Sequence, residues 1–181
     1  MPSEAMPLGV VVERREIDNP WQDHSWCVVA VIPGAPGIGE WQRLASGPGW
    51  QRYHAATLTL ELHRRETAAY RTNLSNDQPV VYVGLREVAD STEVDFDLAP
   101  FLVTASPYEA QDYLDSSEVI FEGVPMPESV IAWVQAFVDA YHVDEPFEKR
   151  KRKRFDPNQV GFGRRPGDVA NSAGRGGNGD D

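Results

Sequence analysis

Between Thr57 and His63 the chain reads Thr-Leu-Thr-Leu-Glu-Leu-His, an alternation that sets Leu58, Leu60 and Leu62 on one side and Thr57, Thr59, Glu61 and His63 on the other. A helix would scatter those leucines around its circumference, so the segment commits this part of the chain to a half-buried strand. The longer stretch TLTLELHRRETAAYRTNL reads as a hairpin of two strands. An odd turn of three or five residues around Arg65 places Leu62 opposite Ala68 and Leu60 opposite Tyr70; an even one would set Leu58 opposite Arg71.

The other segments follow the same logic. Residues 8–17 put Leu8, Val10 and Val12 on one face of a half-exposed strand, and after the turn signal of Asp18, Asn19 and Pro20 the run 25–32 is apolar on both faces, as a central strand would be. Gly47, Pro48 and Gly49 mark a turn between two short strands. Residues 79–88 form a buried strand with Val81, Val83 and Leu85 inward; residues 90–97 are a polar loop; residues 101–105 and the run EVIFEG add two more strands. Ser106 and Pro107 open a short helix. The last element is an amphipathic helix in which Val130, Val134, Phe137, Val138 and Tyr141 form one stripe opposite Gln135, Asp139 and His142. The expected fold is therefore α+β, mainly an antiparallel β-sheet or partial barrel closed by this C-terminal helix, and by analogy of shape pleckstrin-homology-like.

At 181 residues with 41% hydrophobic content the chain accommodates one β-rich domain, residues 7–147, followed by a basic run at 148–155 and a tail at 156–181. Seven glycines and little apolar content between Phe155 and Asp181 predict a disordered tail. Cys27 stands alone, so no internal disulfide forms. With no membrane-length apolar stretch and no signal-like start, a cytoplasmic location without a membrane span is expected. Charge is divided unevenly. Up to Phe147 there are 8 Arg against 23 Asp and Glu, and residues 88–147 hold no Lys or Arg at all. Such a body repels phosphate backbones and argues against a nucleic-acid partner. All 3 Lys lie in the run of Lys149, Arg150, Lys151, Arg152, Lys153 and Arg154, bordered by Phe147 and Phe155. That run admits four readings: a solvated helix end complementing the dipole, a segment folded on the acidic face, a partner-docking segment, or a contact with anionic lipid or nucleic acid.

Catalytic signals are weak. Residues 34–41, GAPGIGEW, carry the glycine spacing of a phosphate loop, but Glu40 and Trp41 stand where Lys and Ser or Thr would hold phosphate and magnesium. His24 and Cys27 have a two-residue spacing seen in zinc sites without a second ligand pair; His54, His63 and His142 are scattered. A Cys27 thiol inside an apolar strand is a poor nucleophile. Asp95 and Asp97 fall on one side of an extended segment beside Asp90 and Glu93, which reads as a solvated acidic loop. Trp21, Trp26, Trp41, Trp50 and Trp133 pack a core or its rim, or line a ligand groove. No cofactor, metal or catalytic residue is expected.

Several ordered segments carry a resemblance: PWQDHSW, HAATLTLELHRRETAAYRTNL, PVVYVGLR, TASPYEAQDY and VPMPESVIAWVQAFVDAYHVDEPFEKRKRKRF. Over residues 7–155 the chain resembles an uncharacterised bacterial domain family whose genes often neighbour those of formate dehydrogenase, and whose members are sometimes labelled molybdopterin-guanine dinucleotide biosynthesis protein A. A guanylyltransferase of that name opens with a glycine-rich loop carrying Arg and Lys, which residues 1–12 do not provide. The resemblance thus implies a non-enzymatic accessory protein assisting assembly or maturation of a molybdenum-dependent formate dehydrogenase, with Lys149, Arg150, Lys151, Arg152, Lys153, Arg154 and Phe155 as candidate partner-binding residues. The alternative it implies is an enzyme handling molybdopterin or guanine nucleotide.

Overall fold

The computed structural model describes residues 3–88, 98–116, 118–144 and 146. The chain divides into a unit spanning Met1–Asp144, which holds every described element, and a second, Glu145–Asp181. The basic run, the tail and the acidic loop with Asp95 and Asp97 lie outside the described residues.

The first unit is α+β and its strand pairs are all antiparallel. Strand β1 (Ser3–Asn19) turns into β2 (Gln22–Pro33); β3 (Gln42–Gly47) turns into β4 (Trp50–His63); and β4 pairs with β1 from Ser3↔His63 to Arg15↔Trp50. The resulting order is β2-β1-β4-β3. A second sheet, β6-β5-β7, is built from β5 (Val80–Glu87), β6 (Leu98–Thr104) and β7 (Ile120–Pro125). Among the described residues there are thus two sheets, neither closed on itself, where one sheet rolled into a partial barrel was expected. The helices are α1 (Thr67–Leu74), α2 (Pro107–Ser116) and α3 (Glu128–Tyr141).

Three expectations are corrected. The stretch after His63 is not a second hairpin strand, for a 3-10 turn at Arg64–Glu66 leads into α1. Its buried residues, Ala69, Tyr70 and Asn73, follow helical spacing, and the Tyr70 hydroxyl accepts a hydrogen bond from the His63 N–H at 3.0 Å, turning the chain back over the end of β4. The two short strands around Pro48 differ in length, because the second runs on into the leucine alternation as a single 14-residue β4. Pro48 fixes one turn dihedral and Gly49 takes φ 74°, the arrangement a two-residue proline-glycine turn requires. Finally, β1 is central and β2 lies at an edge of the first sheet. The edge is nonetheless covered: β7 lies against it, and the Val28 N–H donates to Glu122 Oε2 at 2.6 Å. That cover is why β2 is apolar on both faces.

The core joins both sheets and α3. Leu60 and Leu62 are buried as the alternation predicts, with Leu58 partly so, and they share one cluster with Leu8, Val10, Val81, Val83, Leu85, Val130, Val134 and Phe137. A bulge between Val10 and Val11 lets β1 bury Val11 as well as Val10 and Val12. Helix α3 buries Val130, Val134, Phe137 and Val138, and its most extensive contact is with α1, where Phe137 meets Tyr70 edge-on at 6.3 Å. Helix α2 is capped as its sequence foretells: Ser106 Oγ accepts from the Glu109 N–H at 3.2 Å. Asn73 and the Ser106 cap set where the helices meet the second sheet.

Candidate functional site

The chemistry-bearing residues separate into clusters, most of which the fold itself consumes. On β1, Glu13 is buried and its carboxylate accepts from Arg52 Nε at 2.7 Å and from Arg15 at 2.8 Å. The Arg52 bond, then the Arg15 bond, holds the carboxyl below the usual carboxylate range against the opposing effect of burial. This triad ties β1 to β4 and leaves its carboxylate saturated. Sequence reading missed it, although Glu13 lies amid buried β1 residues and a buried acid needs a partner.

Cys27 donates to the Glu13 carbonyl at 3.9 Å; burial pushes its thiol up, with Glu122 and Glu13 adding to the effect. His24 lies on the other face of β2, since residues three apart on a strand point oppositely, and there it meets Trp26 edge-on at 5.8 Å and Arg14 at 3.3 Å. The spacing that suits a zinc ligand pair on a turn cannot converge on a strand. Among the described residues no group of three or more His, Cys, Asp or Glu side chains could hold a metal ion.

The glycine-rich loop at 34–41 lies back over β1. Gly34 takes φ 70° and its N–H donates to the Pro7 carbonyl at 2.8 Å, while Thr57 Oγ1 donates to the Pro36 carbonyl at 2.6 Å. Buried His54 meets Thr57 Oγ1 through Nε2 at 2.9 Å. A Cβ built on Gly9 would come within 2.8 Å of Ala35 and 2.9 Å of His54, so the glycine that matters for this loop is on the strand beneath it. The loop leads into β3 rather than a helix and lacks the helix N-terminus that a phosphate would need.

His142 sits between α1 and the end of α3, with Nδ1 3.0 Å from Thr67 Oγ1 and Nε2 3.2 Å from Asp144 Oδ1. The order Thr, His, Asp suggests a hydrolytic triad, but the hydrogen bonds run the wrong way. Thr67 donates its own proton to the Arg64 carbonyl at 3.1 Å and so accepts from the imidazole, which leaves nothing to activate it as a nucleophile. Arg71 bonds Asp144 at 2.6 Å and lowers its carboxyl, chiefly through that bond. The assembly fastens α1 to the chain leaving α3.

A surface groove of about 430 Å³ lies between the Arg64–Glu66 turn and α2, lined by His63, Arg65, Glu66, Tyr108, Glu109 and Asp112. Two of its carboxylates are tied inward, Glu66 to Ser106 Oγ at 3.2 Å and Glu109 to Thr104 Oγ1 at 2.5 Å.

The tryptophans divide. Trp26 and Trp41 pack edge-on at 5.5 Å with Tyr53 at their side, Trp50 lies over Gly47 beneath the Arg52 guanidinium, and Trp133 donates Nε1 to Glu4 at 2.7 Å. Trp21 alone is 89% exposed, at the tip of the β1–β2 hairpin. The predicted binding residues from Lys149 to Phe155 lie outside the described residues.

Fold and site together define a two-sheet α+β domain whose buried polar residues among those described, Glu13, His54, Thr67, Asn73, Thr104 and Ser106, are hydrogen-bonded within the fold, and whose most exposed large apolar side chain is Trp21. The chain belongs to the family of proteins of unknown function DUF3305, whose family model matches residues 7–151, the basic run's first residues included. Neither a curated protein nor a solved structure matches the chain. No helix among the described residues is long and apolar enough to cross a membrane.

Proposed function

We propose that this chain is a non-enzymatic accessory protein that assists assembly or maturation of a molybdenum-dependent formate dehydrogenase, binding a subunit through α3 and the basic residues beyond it. The observation that carries the binding role is the division of charge: 23 Asp and Glu against 8 Arg up to Phe147, then six consecutive cations from Lys149 to Arg154. A body and a segment of opposite sign steer a partner into one orientation and speed its encounter. The outward face of α3 supports the reading. Ser129, Ala132, Ala136 and Ala140 recur at helical spacing and are exposed, and small side chains there let a partner's backbone come close. The partner's identity rests on the resemblance of the five ordered segments. The pleckstrin-homology-like shape belongs to the same proposal, supported by a four-stranded and a three-stranded antiparallel sheet followed by a C-terminal helix.

The test compares recovery of formate dehydrogenase with the tagged parent and with a variant carrying alanine at Lys149, Arg150, Lys151, Arg152, Lys153 and Arg154, alongside enzyme activity in a deletion host. Specific recovery that falls with salt and with the alanine variant is expected. Equal or absent recovery in both, with unchanged host activity on deletion, refutes the reading.

A further inference from the structure

Strands β1 and β2 outrun the rest of their sheet. The last β1–β4 pair is Arg15↔Trp50, and the Glu16 N–H donates to the Gly49 carbonyl at 2.8 Å, so the β3–β4 turn supports the hairpin no further than Glu16. Beyond it stand Ile17 to Asp23, closing through the pair Asn19↔Gln22. The tip is built rather than slack: Asn19 Oδ1 accepts from the Trp21 N–H at 2.9 Å, an Asx turn that fixes the backbone on which the indole is carried, and Pro20 removes one more freedom.

An indole 89% exposed on such a turn presents a large apolar body at little entropic cost to a binding partner, which is how anchor residues of interfaces are arranged. Its surroundings specify the partner's charge. Asp18 and Asp23 flank it and both are exposed, as is Glu16 below them. The nearest cations on β1 are otherwise engaged, Arg15 with Glu13 and Arg14 with His24. From these features we infer that Trp21 is the anchor of a second docking surface, which inserts into a pocket on a protein partner whose rim is basic. Arg or Lys side chains of that rim pair with Asp18 and Asp23 and meet the indole face as cations over an aromatic ring. An anionic lipid surface or nucleic acid is disfavoured by the same carboxylates. The inference rests on the proposed function for the partner's identity, and adds to it a second surface carried by the β1–β2 hairpin.

The experiment titrates purified host formate dehydrogenase with the full-length parent, Trp21→Ala, Trp21→Phe and the double variant Asp18→Asn with Asp23→Asn. Because the tip lies outside the core, all four should melt together. Trp21→Ala should weaken binding by about 30-fold or more, Trp21→Phe by less, and the aspartate variant should lose several-fold affinity and flatten the salt dependence. Binding by the parent that Trp21→Ala matches within about twofold overturns the inference and leaves the proposed function standing. No binding by the parent refutes the proposed function, and this surface with it. Two further outcomes overturn the inference alone: parent that self-associates in sedimentation while Trp21→Ala stays monomeric, which makes the occupant a second copy, or parent that binds phosphatidylcholine vesicles through the indole.

Discussion

Asn73 offers the sharpest test of how the helices are joined to the second sheet. It is 1% exposed near the end of α1, and its amide makes three hydrogen bonds: Nδ2 donates to the carbonyls of Val80 at 2.7 Å and Ala105 at 2.9 Å, and Oδ1 accepts from the Val80 N–H at 3.1 Å. Val80 opens β5 and Ala105 follows β6, so one side chain completes the strand ladder where the backbone runs out of partners. Asn73→Ala deletes all three bonds and leaves buried backbone groups unpaired. At about 1 kcal/mol per bond, with the higher figure applying to groups left unsatisfied, the loss should be about 3 to 4 kcal/mol. For a domain of this size that lowers Tm by about 10 °C. Asn73→Asp adds a pH signature. Its carboxylate can accept from Val80 N–H, but it faces two carbonyl oxygens, so the folded state favours the protonated acid and its pKa is raised. A raised folded pKa means the stability deficit of the variant relative to the parent is smallest below the unfolded value of about 4 and grows as pH rises through the folded one. Urea melts of parent and both variants across pH read this directly. A loss below about 1 kcal/mol for Asn73→Ala, or an Asn73→Asp protein as stable as the parent at neutral pH, would refute the account.

Two more substitutions test the packing and the buried charge. Leu60→Ala empties a fully buried position on the predicted leucine face and should cost about 2 to 5 kcal/mol by chemical denaturation; a loss under about 0.5 kcal/mol would mean the face is not the core. Glu13, whose carboxyl is held low by Arg52 and Arg15, contributes stability that is present above its unfolded value of 4.5 and is lost as pH falls through the folded one. Glu13→Gln should therefore be less stable than the parent near neutrality and converge with it in acid, and parallel pH curves for the two would show that the ion pairs contribute nothing.

Strand identity was legible wherever side chains alternate between core and solvent. Val81, Val83 and Leu85 on β5 and Leu60 and Leu62 on β4 are buried as their spacing predicts. The error at α1 has a local and a non-local part. Locally, Ala68 and Tyr70 are two apart and fit an inward strand face, whereas the structure exposes Ala68 and buries Ala69 and Tyr70 side by side. Two consecutive alanines favour a helix, and that propensity was the available signal. What decides the matter is distant: Tyr70 packs on Phe137, and Asn73 reaches Val80 and Ala105. No periodicity within 18 residues reports such partners. The exchange of β1 and β2 has a related cause. Apolar residues on both faces indicate burial, and burial was equated with a central place in the sheet; β2 is instead an edge covered by another sheet, a distinction that depends on Glu122, a residue 94 positions away in sequence from the N–H it caps.

The candidate site was legible in a different way, through position rather than pattern. Five tryptophans in sequence look alike, yet Trp21 alone follows an Asp18-Asn19-Pro20 turn signal between two strand patterns. A residue in the turn of a hairpin stands at the end of the sheet, where neither face of the core can reach it, so a large aromatic side chain there must be exposed or held by another element. The length of the flanking strands settles which. The β3–β4 turn stops beside Glu16, and the hairpin continues from there to Asn19, about 10 Å at the rise of an extended chain. Nothing in the first sheet extends that far to cover the indole, and the turn that carries it is fixed by its own Asx hydrogen bond. The exposure of Trp21 is thus a consequence of strand register: shortening the hairpin by one residue pair on each strand would draw the tip back toward Gly49 and Trp50, and would reduce the outward reach of the anchor without touching a single core contact.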